Sequence, residues 1–205
     1  MKPIPPYSAF LIASSLLVPS TSGQTQPTNL PNVAPGLFNV SARIEIENTS
    51  LDAAWDTLTD FPNYPKWNPF VRSSIAVDPA NLSLPTQRPI ENTQLILRVQ
   101  LPALPLPVNE YTLDNPLATQ VSYENVTHVQ PQLGRLAWEL YPNPAITAER
   151  WQALTDLGGG RVLYESREVF SGPLAPVLKA TMEGKLKTSF DAQAQGLKLW
   201  LEQPR

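Results

Sequence analysis

The sequence predicts an α+β fold in which a curved antiparallel sheet of about seven strands wraps around one long C-terminal helix. Three observations carry this. Apolar residues alternate with a period of two over Phe38 to Glu47 and again over Gln94 to Leu101, the strand signature, within a series of short segments that runs to Ser171. From Pro176 onward the period lengthens to that of a helix. Between the first strand and the rest lies a short segment of helical spacing. Antiparallel strands of this kind bury one face, and a single long amphipathic helix is the one element available to cover it.

The elements follow in order. Phe38, Val40, Ala42, Ile44 and Ile46 alternate with Asn39, Ser41, Arg43, Glu45 and Glu47, a half-buried strand over 38–47. Ser50 is placed to cap a helix whose stripe is Leu51, Ala54, Trp55 and Leu58. That helix ends near Asp60, and the aromatic, proline-punctuated run from Phe61 to Phe70 follows as a second short helical turn. Further strands are expected over 71–77, 94–101, 108–113, 121–127 and 135–141, with an exposed loop from Asp78 to Asn92. Segments 147–155 and 161–171 flank Asp156-Leu157-Gly158-Gly159-Gly160, a hairpin signal. Leu178, Met182, Leu186, Phe190, Leu197 and Leu201 form the stripe of the last helix, with Gly184 and Gly196 marking points of bending or close packing.

The N-terminus has a different character. Lys2, the apolar run Ala9 to Val18 and the small residues Thr21-Ser22-Gly23 read as a secretory signal peptide over residues 1–23. The run is too short to span a hydrocarbon core, which takes about 20 apolar residues. Pro3, Pro5 and Pro6 leave open a simpler, proline-broken leader. Residues 24–36 read as a flexible linker to a domain over 37–203. Four N-x-S/T sequons, at Asn39, Asn48, Asn81 and Asn125, agree with passage through the secretory pathway and a secreted, glycosylated product; a cytoplasmic protein is the alternative.

Composition excludes several chemistries. The absence of cysteine removes disulfides, thiolate catalysis and zinc–thiolate sites, and a single histidine removes a His-rich metal site. A net charge of −3 gives no electrostatic reason to expect nucleic acid. No Ser-His-Asp order, phosphate-cradling loop or motif calling for a cofactor is present.

The segment Ala54-Trp55-Asp56-Thr57-Leu58-Thr59-Asp60-Phe61-Pro62-Asn63-Tyr64-Pro65-Lys66-Trp67-Asn68-Pro69-Phe70 resembles the signature of the START-like (SRPBCC) superfamily, of the polyketide cyclase/dehydratase and coenzyme-Q-binding START type. Tyr164 to Gly172 and Leu197-Lys198 resemble that superfamily's last strand and helix, so the likeness spans 37–203. It implies a helix-grip fold with an internal cavity for a hydrophobic small molecule. The resemblance places Trp67, Asn68 and Phe70 at the cavity entrance; core packing, with Asn68 bonding its own turn, is the alternative.

The hairpin supplies a sharper expectation. Centred near Gly159, it sets Arg150 against Glu168, Gln152 against Ser166 and Ala148 against Phe170. With Phe170 inward, an Arg150–Glu168 pair enters the cavity with Tyr164 beside it. Arg150, Glu168 and Tyr164 are then candidate catalytic residues; a structural ion pair, or a surface pair after a one-residue slip, is the alternative. Tyr111, Tyr123 and Trp138 are strand aromatics able to bond a ligand or fill the core. His128 is a conceivable base or an exposed loop residue.

Two functions follow, with a third behind them. The protein carries or sequesters a lipid-like or polyketide-like molecule, or it is a cyclase/dehydratase-type enzyme of secondary metabolism acting in the same cavity. A cell-surface interaction module with a filled cavity is the third. Two or more unpaired ionisable groups facing inward favour catalysis; one anchor in an apolar lining favours carriage. Ligand identity and oligomeric state stay open.

Overall fold

A computed structural model describes Met1 and residues 27–203; the expected signal peptide lies outside the described residues apart from Met1. Strand β1 (Phe38–Ile46) leads into helix α1 (Leu51–Thr59), a 3-10 turn (Phe61–Asn63) and the one-turn helix α2 (Tyr64–Trp67). Six strands follow: β2 (Val71–Val77), β3 (Gln94–Gln100), β4 (Thr119–Gln130), β5 (Arg135–Leu140), β6 (Thr147–Gly158) and β7 (Arg161–Ser171). Helix α3 (Ala175–Leu201) closes the chain. The seven strands form one antiparallel sheet in the order β1-β7-β6-β5-β4-β3-β2.

Local chemistry explains the element ends. Ser50 Oγ accepts the Ala53 N–H at 3.2 Å, the expected cap. Asn68 Oδ1 accepts the N–H groups of both Phe70 and Val71, which turns the chain from α2 into β2. The β6–β7 hairpin has the register expected of it, with Arg150 opposite Glu168, Gln152 opposite Ser166 and Ala148 opposite Phe170. Phe170 points inward and stacks on Phe38 of β1 with ring centroids 4.5 Å apart. In the loop after β2, Gln87 binds the edge of that strand as a neighbouring strand would, accepting from Ala76 N–H and donating to Ala76 C=O.

One expected strand is corrected. Residues 108–113 are not a strand but part of the β3–β4 connection. Asn109 and Asn115 close turns there by accepting the N–H groups of Tyr111 and Leu117, so local side-chain bonding wins over the alternating pattern. The connection is tied down by Arg72, only 2% exposed. Its guanidinium donates to the carbonyls of Pro65, Asn68, Asn109 and Thr112 and to Asp114. Within the segment read as a linker, Asn29 is hydrogen-bonded to the domain. Asn29 Nδ2 donates to the carbonyls of Leu133 and Leu154, its backbone N–H donates to Glu165, and its carbonyl accepts from Arg135. This segment is a strap across the outer face of the sheet.

Helix α3 is unevenly buried. Along its C-terminal half Leu186, Ser189, Phe190, Gln193, Ala194, Gly196, Leu197 and Leu201 are buried, whereas Leu178 and Met182 in the first half are only partly so. Gly196 lies so close to α2 that a Cβ there would come within 2.3 Å of the Trp67 carbonyl oxygen. Gly184 has open space beside it.

Candidate functional site: an internal cavity

Between the sheet and the first half of α3 lies a cavity of about 240 Å3. Its lining comes from one end of the sheet: the C-terminal ends of β3, β5 and β7, the N-terminal ends of β2, β4 and β6, and Leu178, Met182 and Leu186 of α3. Most of the wall is apolar, with Phe70, Leu97, Val99, Trp138, Leu140 and Phe170 prominent. The polar groups are Gln120, Ser122 and Glu124 of β4, Arg150 of β6 and Glu168 of β7.

Arg150 is the centre of this polar set and is 3% exposed. Its guanidinium carbon lies 3.9 Å from the Phe190 ring centroid, 5.5 Å from that of Phe70 and 5.9 Å from that of Trp138. Its Nε donates to Ser166 Oγ at 3.1 Å and its Nη2 to Gln193 Oε1 at 3.2 Å. Nη1 has no hydrogen-bond partner among the described residues, and none of their ion pairs involves Arg150. The expected Arg150–Glu168 contact is thus corrected: the two face the same cavity from adjacent strands without forming an ion pair. Aromatic faces and neutral acceptors surround the cation instead.

Both carboxyls of the cavity hold their protons unusually well. Glu124 is pushed up to about 8, chiefly by burial and then by repulsion from Glu168; its bond from Ser122 and the field of Arg150 oppose this. Burial pushes Glu168 up to about 7 against the pull of Arg150. Beneath Arg150, Tyr164 Oη donates to Gln152 Oε1 at 2.7 Å, and Gln193 Nε2 donates to Gln152 Oε1 and to Tyr164 Oη. Burial raises the Tyr164 hydroxyl as well.

Of the residues singled out from sequence, Phe70, Trp138, Arg150, Glu168 and Phe170 line the cavity. The others lie elsewhere. Trp67 packs edge-on against Tyr64, and Asn68 spends its carbonyl on the α2–β2 turn. Tyr111 is 83% exposed in the β3–β4 connection and Tyr123 is 53% exposed on the outer face, so neither reaches the cavity. Tyr164 belongs to the network under Arg150. His128, within β4, stacks on Trp151 with ring centroids 4.6 Å apart, on the outer face. Asn39, Asn48 and Asn81 are exposed and Asn125 is half-buried. Sequence reasoning missed Glu124, Ser122 and Gln193, and it placed Phe190 in the helix stripe without its contact to Arg150. Glu124 shares a strand face with Ser122 and Val126, and that parity was the available signal; bulky Val121 and Tyr123 on the other parity outweighed it.

With this geometry in view, residues 38–202 match the family model described as polyketide cyclase / dehydrase and lipid transport. The chain belongs to this family. Solved structures agree on the fold. A hypothetical protein from Helicobacter pylori superposes with a TM-score of 0.58 at 14% identity, covering 82% of this chain and 89% of that one. Ginseng major latex-like protein 151 from Panax ginseng gives 0.57 at 6% identity, covering 81% and 98%. A START superfamily protein from Mycobacterium smegmatis gives 0.54 at 18% identity, covering 80% and 97%. A comparison with curated proteins finds no match. The family and its helix-grip fold are consistent with binding hydrophobic ligands or with cyclase/dehydrase-type activity. Among the described residues no helix is long and apolar enough to cross a membrane, and no cluster of His, Cys, Asp or Glu is placed to hold a metal.

Proposed function

We propose that the protein holds a hydrophobic small molecule in the cavity between the sheet and α3, for carriage or sequestration. The observation that carries this is the lining itself: an apolar chamber with a few convergent polar groups at one place, the form that small-molecule sites take. A cavity of about 240 Å3 suits a compact ligand with one chain or a small ring system. Native mass spectrometry of the purified protein, followed by solvent extraction, tests the reading. Recovery of a stoichiometric apolar compound supports it; a protein that stays empty and takes up no apolar probe overturns it.

A second reading has its own support. Arg150, Glu124 and Glu168 give the cavity three ionisable groups, and no ion pair among the described residues engages Arg150. Two carboxyls that exchange protons near neutral pH are suited to general acid–base catalysis on a held substrate, as in a cyclase/dehydratase-type reaction. Turnover of a polyketide-like substrate that falls at least a hundredfold in Glu168→Gln, with binding retained, would favour catalysis over carriage. We also propose a secretory route, supported by the four sequons, three of which are exposed; N-terminal sequencing and a glycosidase mobility shift test it.

A further inference from the structure

We propose that the cavity takes a compact apolar carboxylic acid, whose carboxylate binds Arg150 and whose binding takes up one proton. This rests on the reading of the cavity as a ligand site and names the ligand class.

A buried guanidinium without a carboxylate at ion-pairing distance is costly, and among the described residues Arg150 is in that state, with no partner for Nη1. Stacking on Phe190 offsets part of the cost but leaves that donor free. The two carboxylates of the chamber are poor partners for it. Glu168 is across the strand pair but makes no ion pair with Arg150, and Glu124 accepts the Ser122 hydroxyl. A carboxylate arriving from the ligand is able to dock on Nη1 directly.

Charge balance then fixes the proton. With Arg150 positive and one of the two carboxyls ionised, the empty chamber is neutral. An incoming anion makes it negative unless that carboxyl takes a proton from solvent. With both carboxyls protonated, Arg150 and the ligand carboxylate balance, and the two acid O–H groups become donors to the ligand. The raised proton affinities of Glu124 and Glu168 make this uptake accessible near neutral pH. Glu168 meets the field of Arg150 from β6 and of Glu124 from β4, and Glu139 of β5 acts in turn on Glu124. From α3 the cavity wall is Leu178, Met182 and Leu186, and Val40 is the residue opposite Glu168 on β1, so both elements present apolar side chains at these positions.

The test is isothermal titration of the full chain with octanoic acid and with 1-octanol, between pH 6 and pH 9, in phosphate and in Tris. At pH 7.5 octanoate is expected to bind at least tenfold more tightly than 1-octanol. Its apparent enthalpy should differ between the buffers by the amount for about one proton taken up, and its affinity should fall as pH rises above about 8. 1-Octanol should bind without buffer dependence. Arg150→Met, checked for folding by circular dichroism, should lose the preference for the acid and keep the alcohol. Glu168→Gln should keep octanoate binding at pH 8.5 and show less proton uptake. Tighter binding of the alcohol, absence of proton uptake, or an acid preference that survives Arg150→Met overturns the inference while leaving the cavity reading intact. Failure of both probes to bind overturns the cavity reading and the inference with it.

Discussion

The guanidinium carbon of Arg150 lies 3.9 Å from the ring centroid of Phe190, so a cation from the sheet is seated on an aromatic face offered by the helix. This contact joins the cavity to the core, because Phe190 is fully buried. A double-mutant cycle with Arg150→Met and Phe190→Leu measures it. A coupling of about 1–2 kcal/mol is expected from a desolvated cation–π pair. Additive effects would mean that the ring serves only as filler.

Arg72 should matter to stability more than any other exposed-type residue. Its side chain donates to four carbonyls and to Asp114, and so joins α2 to the β3–β4 connection. Arg72→Ala leaves those acceptors unpaired and is expected to cost about 3 kcal/mol in urea unfolding. Arg72→Lys should recover little, since one ammonium cannot reach both ends of the fork. A loss under 1 kcal/mol would show that the connection is held by other contacts.

The two helix glycines should respond in opposite directions. Gly184→Ala meets open space and should stabilise by up to about 1 kcal/mol through helix propensity. Gly196→Ala drives a methyl to within 2.3 Å of the Trp67 carbonyl oxygen and should destabilise by about 1–3 kcal/mol. Thermal unfolding of the two variants side by side checks both signs.

Stability should fall as pH rises through neutrality. Glu124 and Glu168 bind protons more tightly in the folded state than in the unfolded chain. Their contribution is therefore fully present below the ordinary carboxylate range and is lost as pH climbs through about 7 and about 8. The double variant Glu124→Gln/Glu168→Gln should be more stable than the parent by roughly 3 kcal/mol at pH 9 and show little gain at pH 5. Parallel stability curves for the two proteins across this range would refute the argument.

Much of the fold was legible because apolar alternation and helical spacing are local signals. The β6–β7 register followed from one glycine-rich turn, and with it the placement of Arg150 and Glu168 on a common face. The cavity wall was harder to read on β4. There the inward parity holds Ser122 and Glu124 while Val121 and Tyr123 face outward, since a wall that meets a chamber is free of the demand for apolar packing. Tyr111 misled for a different reason: alternation in 108–113 looks like a strand, but asparagine side chains satisfy the backbone within the turns. Arg72 gave no sequence signal, because its partners are carbonyls that any residue supplies.

The uneven burial of α3 divides labour along a single rod. Its later turns interlock with α2, where Gly196 admits no added atom, and pack into the core. Its earlier turns bury Ala175, touch the chamber through Leu178 and Met182, and are for the rest mostly exposed. Substitutions in the earlier turns can therefore reshape what the chamber accepts while the later turns keep the chain folded, which leaves this architecture free to change its cargo by small steps.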